Sequence, residues 1–235
     1  MTDANQLLLV TAASLGFIHT LLGPDHYIPF IAMSKARGWS RGKTLGLTLL
    51  CGMGHVLSSV ALGFIGLAVG TAVFELESIE SARGEIAAWM LICFGFAYFV
   101  WGVHRALRGM RHSHAHIHVD GLTHAHGHAH SSGHAHAHES KGNITPWVLF
   151  TVFVFGPCEP LIPLVMYPAA GGDMLYVALV AGIFSITTIS TMLFMVASFT
   201  HVVSRIPFSR FEPWSHAMAG FAIFASGAGV RLLGL

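Results

Sequence analysis

The sequence predicts an all-α membrane protein of six transmembrane helices, arranged as a 3+3 inverted repeat with helices 1 and 4 interrupted. Three observations lead there. The 235 residues are 54% hydrophobic and only 10% charged, against about a quarter charged in ordinary soluble domains. Basic residues collect in alternate loops. Two proline-flanked polar motifs recur inside apolar runs at corresponding places in the two halves.

Mean hydropathy is +0.65, too high for a chain whose outer surface faces water. A spanning helix needs about 20 mostly apolar residues, and six segments supply them: 6–33, 43–71, 86–107, 145–169, 173–203 and 214–235. No basic stretch precedes the first run, so it is expected to be a retained span and not a cleaved signal. Between the spans lie "SKARGWSRGK", the acidic "FELESIESARGE", a long histidine-rich segment, the turn "AGGD" and "SRIPFSRFEPW". These boundaries give a first three-helix repeat over 1–107, a cytoplasmic loop over 108–144 expected to be disordered, and a second repeat over 145–235.

Lys35, Arg37, Arg41 and Lys43 fall in the first loop, Arg105, Arg108, Arg111 and Lys141 in or beside the third, and Arg205 and Arg210 in the fifth. Only Arg83 and Arg231 remain for the other side. The positive-inside rule then puts loops one, three and five in the cytoplasm and both termini outside. A net charge of +1 gives no reason to expect a nucleic-acid partner. The three cysteines, Cys51, Cys93 and Cys158, are too few for a disulfide framework.

"GPDHYIPFI" from Gly23 and "GPCEPLIPLV" from Gly156 share Gly-Pro, two polar or metal-capable residues and Ile-Pro, with one extra residue in the second copy. The two spans cross in opposite senses, as an inverted repeat requires. In such folds the binding site lies near the midplane, where interrupted helices expose backbone groups. An Asp at a helix centre costs about 2.5–3.5 kcal/mol on insertion scales, so it marks a functional site by default. Gly23, Pro24 and Pro29 break the hydrogen-bond ladder around Asp25 and His26. His19 precedes His26 by seven residues, two turns along a continuous helix. Helix 2 adds His55 between Gly54 and Val56, and helix 4 adds Cys158 and Glu159 at the repeat-related position.

The candidate metal set is therefore Asp25, His26, His55 and Glu159, with His19 and Cys158 as further candidates. Imidazole, carboxylate and one thiolate suit Ni²⁺, Co²⁺ or Zn²⁺ better than Mg²⁺ or Ca²⁺. Cys158 also reads as a small apolar filler. The hydroxyls of "SITTIST", 185–191, either line the same cavity or bond their own helix.

Eleven histidines crowd the third loop: His112, His114, His116, His118, His124, His126, His128, His130, His134, His136 and His138. Such tracts are read from composition as metal-binding, and imidazoles of ordinary pKa are largely neutral at cytoplasmic pH. The segment has too few bulky apolar residues to fold alone and is expected to capture metal.

At these motifs the chain resembles the nickel/cobalt transporter superfamily, which includes permeases, histidine-loop exporters and urease-accessory membrane proteins. Those permeases carry His, four residues, then Asp-His; here five residues separate His19 from Asp25. "GPCEPLIPLVMYP" is also similar to the membrane carriers that move reducing equivalents in cytochrome c maturation. Those carriers have a Pro-flanked cysteine in each half, whereas Asp25-His26 stands opposite Cys158 here. The resemblance implies a multi-pass inner-membrane transporter, not an enzyme, without an organic cofactor. Its substrate is expected to be Ni²⁺ or Co²⁺, or Zn²⁺, moved outward on an ion gradient with protons as the candidate counter-ion. The alternatives are uptake through the same site, a thiol-disulfide carrier, or a sensor without transport.

Overall fold

The computed structural model describes residues 3–70, 73–109, 115–117, 123–125, 144–205 and 209–233. Eight α-helices make up nearly all of these residues: α1 (Asp3–Leu22), α2 (Ile28–Arg37), α3 (Arg41–Val69), α4 (Val73–Gly109), α5 (Ile144–Phe155), α6 (Leu161–Ala170), α7 (Met174–Arg205) and α8 (Ser215–Leu233). Four of them, α1, α3, α4 and α7, are long and apolar enough to cross a membrane, and α5 and α6 are shorter apolar helices. The chain is thus an all-helical, multi-pass membrane protein by length and composition. Its side chains are sorted accordingly. Leu7, Ile65, Ile186 and Phe194 are each more than 60% exposed, while Thr20, Thr48, His55, Ser59 and Glu80 are buried. An apolar exterior around polar interior contacts is what lipid demands.

The two expected interruptions are present. Between α1 and α2, Pro24–His26 form a single 3-10 turn entered through Gly23. Between α5 and α6, residues 156–160 leave the helix before Leu161 restarts it. Proline supplies the break at each place by removing an N–H donor and clashing with the preceding turn. Elsewhere the elements begin and end as their residues dictate. The Ser40 hydroxyl accepts from Lys43 N–H at the start of α3, and Gly70 closes that helix at φ 74°. The Asp173 carboxylate accepts from Tyr176 N–H at the start of α7.

One expectation is corrected. "FELESIESARGE" does not form a loop, because α4 starts at Val73 and runs unbroken for 37 residues. Leu76, Glu80, Ala87 and Leu91 are buried on its inward side, a helical spacing that carries Glu80 and Arg83 inward with them. In the third loop, the backbone of Ala115–Ile117 pairs antiparallel with Thr123–Ala125, His116 opposite His124. His112, His114, His118, His126, His128, His130, His134, His136 and His138 lie outside the described residues.

The helices pack in corresponding pairs. α1 lies on α7 as α5 lies on α3, α2 touches α7 as α6 touches α3, and α2 touches α8 as α6 touches α4. The α4–α8 contact is the most extensive. It is made by glycines: a Cβ at Gly95, Gly102 or Gly220 would collide with the backbone of Phe224, Ala217 or Phe99 respectively. Small residues that let helix backbones meet are the usual basis of association in lipid. Further along, Arg37 of α2 donates to the Tyr98 hydroxyl at 3.2 Å and to Thr145 Oγ1 at 2.8 Å, and that hydroxyl lies 2.8 Å from His216 Nδ1. This network ties α2, α4, α5 and α8 together.

Gly220→Val is expected to destabilise the fold by more than the roughly 1–3 kcal/mol usual for overpacking, since rigid backbone blocks the new side chain. At Gly46 on α3 a Cβ would meet nothing within 4 Å, so Gly46→Ala serves as the neutral control. Thermal unfolding of the two variants in detergent, with wild type alongside, measures the difference.

Candidate metal centre

Both interruptions face the same interior point. The turn at Pro24–His26 brings His26 inward, where its ring Nδ1 lies 3.1 Å from Asp25 Oδ1 and 3.2 Å from the Gly23 carbonyl. Both neighbours are acceptors, so Nδ1 carries a proton, and in the neutral ring Nε2 presents a lone pair. His55, midway along α3, lies with Nδ1 3.3 Å from the Phe153 carbonyl at the end of α5. The same reasoning puts its proton on Nδ1. The two Nε2 atoms then face each other at 3.3 Å.

Two unprotonated nitrogens at that distance repel unless a cation or proton lies between them. Tetrahedral ligands at a metal–nitrogen distance of about 2.0–2.1 Å stand about 3.3–3.4 Å apart, which is the separation observed. His19 completes a trio: one ring nitrogen from each of His19, His26 and His55 lies within 4.8 Å of the others. The His19 ring meets His26 edge-on at 4.8 Å between centroids and lies parallel to His55 at 6.4 Å. Its Nε2 is buried with no hydrogen-bond partner among the described residues. An orphaned buried acceptor or donor costs about 1–3 kcal/mol, and a ligand to this atom would remove that cost. Beside this trio, Cys158 Sγ lies 3.0 Å from His55 Nε2 and offers a soft donor on that side.

The fit with a divalent transition ion is therefore in the donor set and the anchoring of the rings. Asp25 and the Phe153 carbonyl hold His26 and His55 from behind, the arrangement that fixes tautomer and raises basicity in histidine ligands. Gly156 permits it, because a Cβ there would come within 2.7 Å of His55 Nδ1. Beside the rings lies a cavity of about 30 Å³ lined by Asp25, His26 and His55 on one side and by Gly84, Ala88 and Gly227 on another. On that measure there is room for about two water-sized species.

The structure thus gathers His19, His26 and His55, sets Cys158 against His55 alone, and gives Asp25 a supporting place. Glu159 does not join them. It is exposed, because the chain turning into α6 points Cys158 inward and the next residue out. The "SITTIST" hydroxyls divide: Ser185 and Thr191 bond to carbonyls of their own helix, at Ala181 and Thr187. Thr188 Oγ1 is buried without a partner among the described residues, facing Gly16 of α1.

The residues that sequence reasoning missed are Glu80 and Arg83. Glu80 is wholly buried; its Oε2 accepts from Ser59 Oγ and from Cys158 N–H, both at 3.0 Å. Arg83 pairs with the other oxygen, and donates to Ser58 Oγ at 2.7 Å and to the Val154 carbonyl at 2.8 Å. The signal for them is the four-residue step from Leu76 to Glu80 and the seven-residue step on to Ala87. Cys51 and Cys158 are free thiols in different apolar cores, the first with Phe30 and Met192, the second with Leu161 and Val180. That separation keeps the two from forming a dithiol pair.

No protein-family model matches the chain, and neither a curated protein nor a solved structure matches it. What the site does is argued from its own residues.

Asp25→Ala is expected to weaken binding of Co²⁺ or Ni²⁺ to the purified protein by roughly 10–100-fold, as loss of a ligand's supporting carboxylate does. Glu159→Ala should leave the affinity unchanged. Isothermal titration of both variants checks the pair of outcomes.

Proposed function

We propose that the protein carries divalent transition-metal ions, Ni²⁺ or Co²⁺ foremost, across the inner membrane through the histidine cluster. One observation carries this reading: three histidines from three elements converge inside an apolar helix bundle, two of them with Nδ1 held and Nε2 facing the other. Donors of this kind favour Ni²⁺, Co²⁺ or Zn²⁺ over Mg²⁺ and Ca²⁺. A structural role alone leaves His19 Nε2 without a partner among the described residues.

Movement through the site draws support from the two broken helices and from the matched packing of α1–α4 with α5–α8. Both fit six spans in a 3+3 inverted repeat whose halves rock about a midplane site. The positive-inside rule then sets the histidine-rich loop in the cytoplasm and both termini outside. A cytoplasmic reservoir of imidazoles favours export, the loop gathering ions for the site. Uptake through the same site would show as flux in the opposite direction. No P-loop occurs in the sequence, which leaves an ion gradient or a partner to supply the energy; in the first case protons would compete for the imidazoles that bind metal.

Purified protein in vesicles of known orientation is expected to move Ni²⁺ and Co²⁺ saturably, faster with an opposing proton gradient. His26→Ala and His55→Ala should abolish the flux while inserting normally. Absence of flux for Ni²⁺, Co²⁺, Zn²⁺ and Cu²⁺ in the unaltered protein overturns the reading. Deleting 112–138 should raise the half-saturating metal concentration without lowering the maximal rate.

A further inference from the structure

The interruption between α5 and α6 frees backbone groups that have no helix to serve them. Three of them find side-chain partners on α3 or α4. The Val154 carbonyl receives Arg83, the Phe153 carbonyl receives His55 Nδ1 and Gly156 N–H, and Cys158 N–H is taken by Glu80. Glu80 and Arg83 are themselves a buried ion pair, with side chains 0% and 16% exposed. Such a pair is weak evidence for stability, because apolar residues of similar volume often serve as well or better. Its place here is specific, though. Glu80 grips the backbone of the residue whose sulfur touches His55, and Arg83 holds the last turn before the break. Gly84, one residue on, has no side chain and so admits Pro157, whose ring a Cβ there would strike at 2.8 Å. Three contacts from one face of α4 thus fix residues 154, 157 and 158.

We infer that Glu80, backed by Arg83, is the positioning residue that turns Cys158 toward His55 and so makes the site selective for ions that accept a thiolate with imidazoles. This rests on the metal-transport reading of the cluster. It adds that sulfur enters the coordination sphere, and that α4 decides whether it does. On binding, the Cys158 S–H bond breaks, a sulfur–metal bond forms, and the proton leaves with solvent or a counter-transported ion. Softer ions gain most from sulfur, so the device sets preference among transition metals and not merely their retention.

Co²⁺ is the probe, since imidazole ligation shows in its visible bands and thiolate ligation in a near-ultraviolet charge-transfer band. Titration of the full-length protein is expected to give both signals, the second lost in Cys158→Ser. In the double variant Glu80→Met/Arg83→Met, which removes the pair without stranding a charge, the visible bands should persist while the thiolate band falls. Affinity should drop roughly 10–100-fold, as for other supporting groups of a metal site. Glu80→Gln/Arg83→Met keeps an acceptor for Cys158 N–H and should recover most of the band. An unaltered protein that shows visible bands but no thiolate band overturns this inference and leaves the transport reading standing. A thiolate band equal in both double variants overturns the positioning role. Absence of all Co²⁺ signals in the unaltered protein, or visible bands that persist unchanged in His26→Ala, sinks the metal reading itself.

Discussion

The structure depends on one constraint: a helix broken inside an apolar bundle must find partners for the backbone groups it frees. The hydrocarbon of a bilayer offers none, and each group left bare costs about 1–3 kcal/mol. Side chains of the candidate metal centre meet that demand. His26 Nδ1 bonds the Gly23 carbonyl at the first interruption, and His55 Nδ1 bonds the Phe153 carbonyl at the second. Each imidazole therefore has two jobs at once. One nitrogen caps a broken helix, and the other is left to face its counterpart.

That double duty couples ligand geometry to backbone geometry. A shift of His55 that altered its Nε2 position would also break its bond to the Phe153 carbonyl, and the reverse holds as well. On the proposed transport reading, this is how occupancy of the site would be felt by α5 and α6 without a separate relay. The coupling is made of direct bonds, 3.3 Å for Phe153 and 3.0 Å between Cys158 N–H and Glu80.

Much of this is legible in the sequence. Asp25 and His26 stand out because ionisable residues in an apolar run are costly, and the prolines beside them announce the break. His55 stands out for the same reason. His19 looks displaced when counted along a straight helix, yet the turn at Pro24–His26 changes the phase and brings it against both other rings. Glu159 misleads in the opposite way. Which of two adjacent polar residues faces inward is not fixed by the sequence, and only the path of the chain through 156–160 decides that Cys158 does. Glu80 and Arg83 are hidden by their neighbours. Glu75, Glu77, Arg83 and Glu85 around Glu80 give the segment the composition of a hydrated loop. Which of those charges is buried follows from packing against Ser58, Ser59 and residues 154–158, none of which is near in sequence. The histidine tract is readable only from composition.

The two interruptions differ in where their partners come from, and the difference orders the molecule. The first is served by its own residues: His26 bonds Gly23, and the Tyr27 hydroxyl donates to the Leu21 carbonyl at 3.3 Å. The second is served from a distance, by His55 on α3 and by Glu80 and Arg83 on α4. The break between α1 and α2 can thus be formed within the first half of the chain, whereas the break between α5 and α6 is complete only when that half is docked against it. The cluster inherits this dependence. His19, His26 and His55 all belong to the first half, and Cys158 meets His55 from the second half, where its backbone N–H is held by Glu80. The second half therefore contributes its donor to the site and closes its own broken helix in a single packing event.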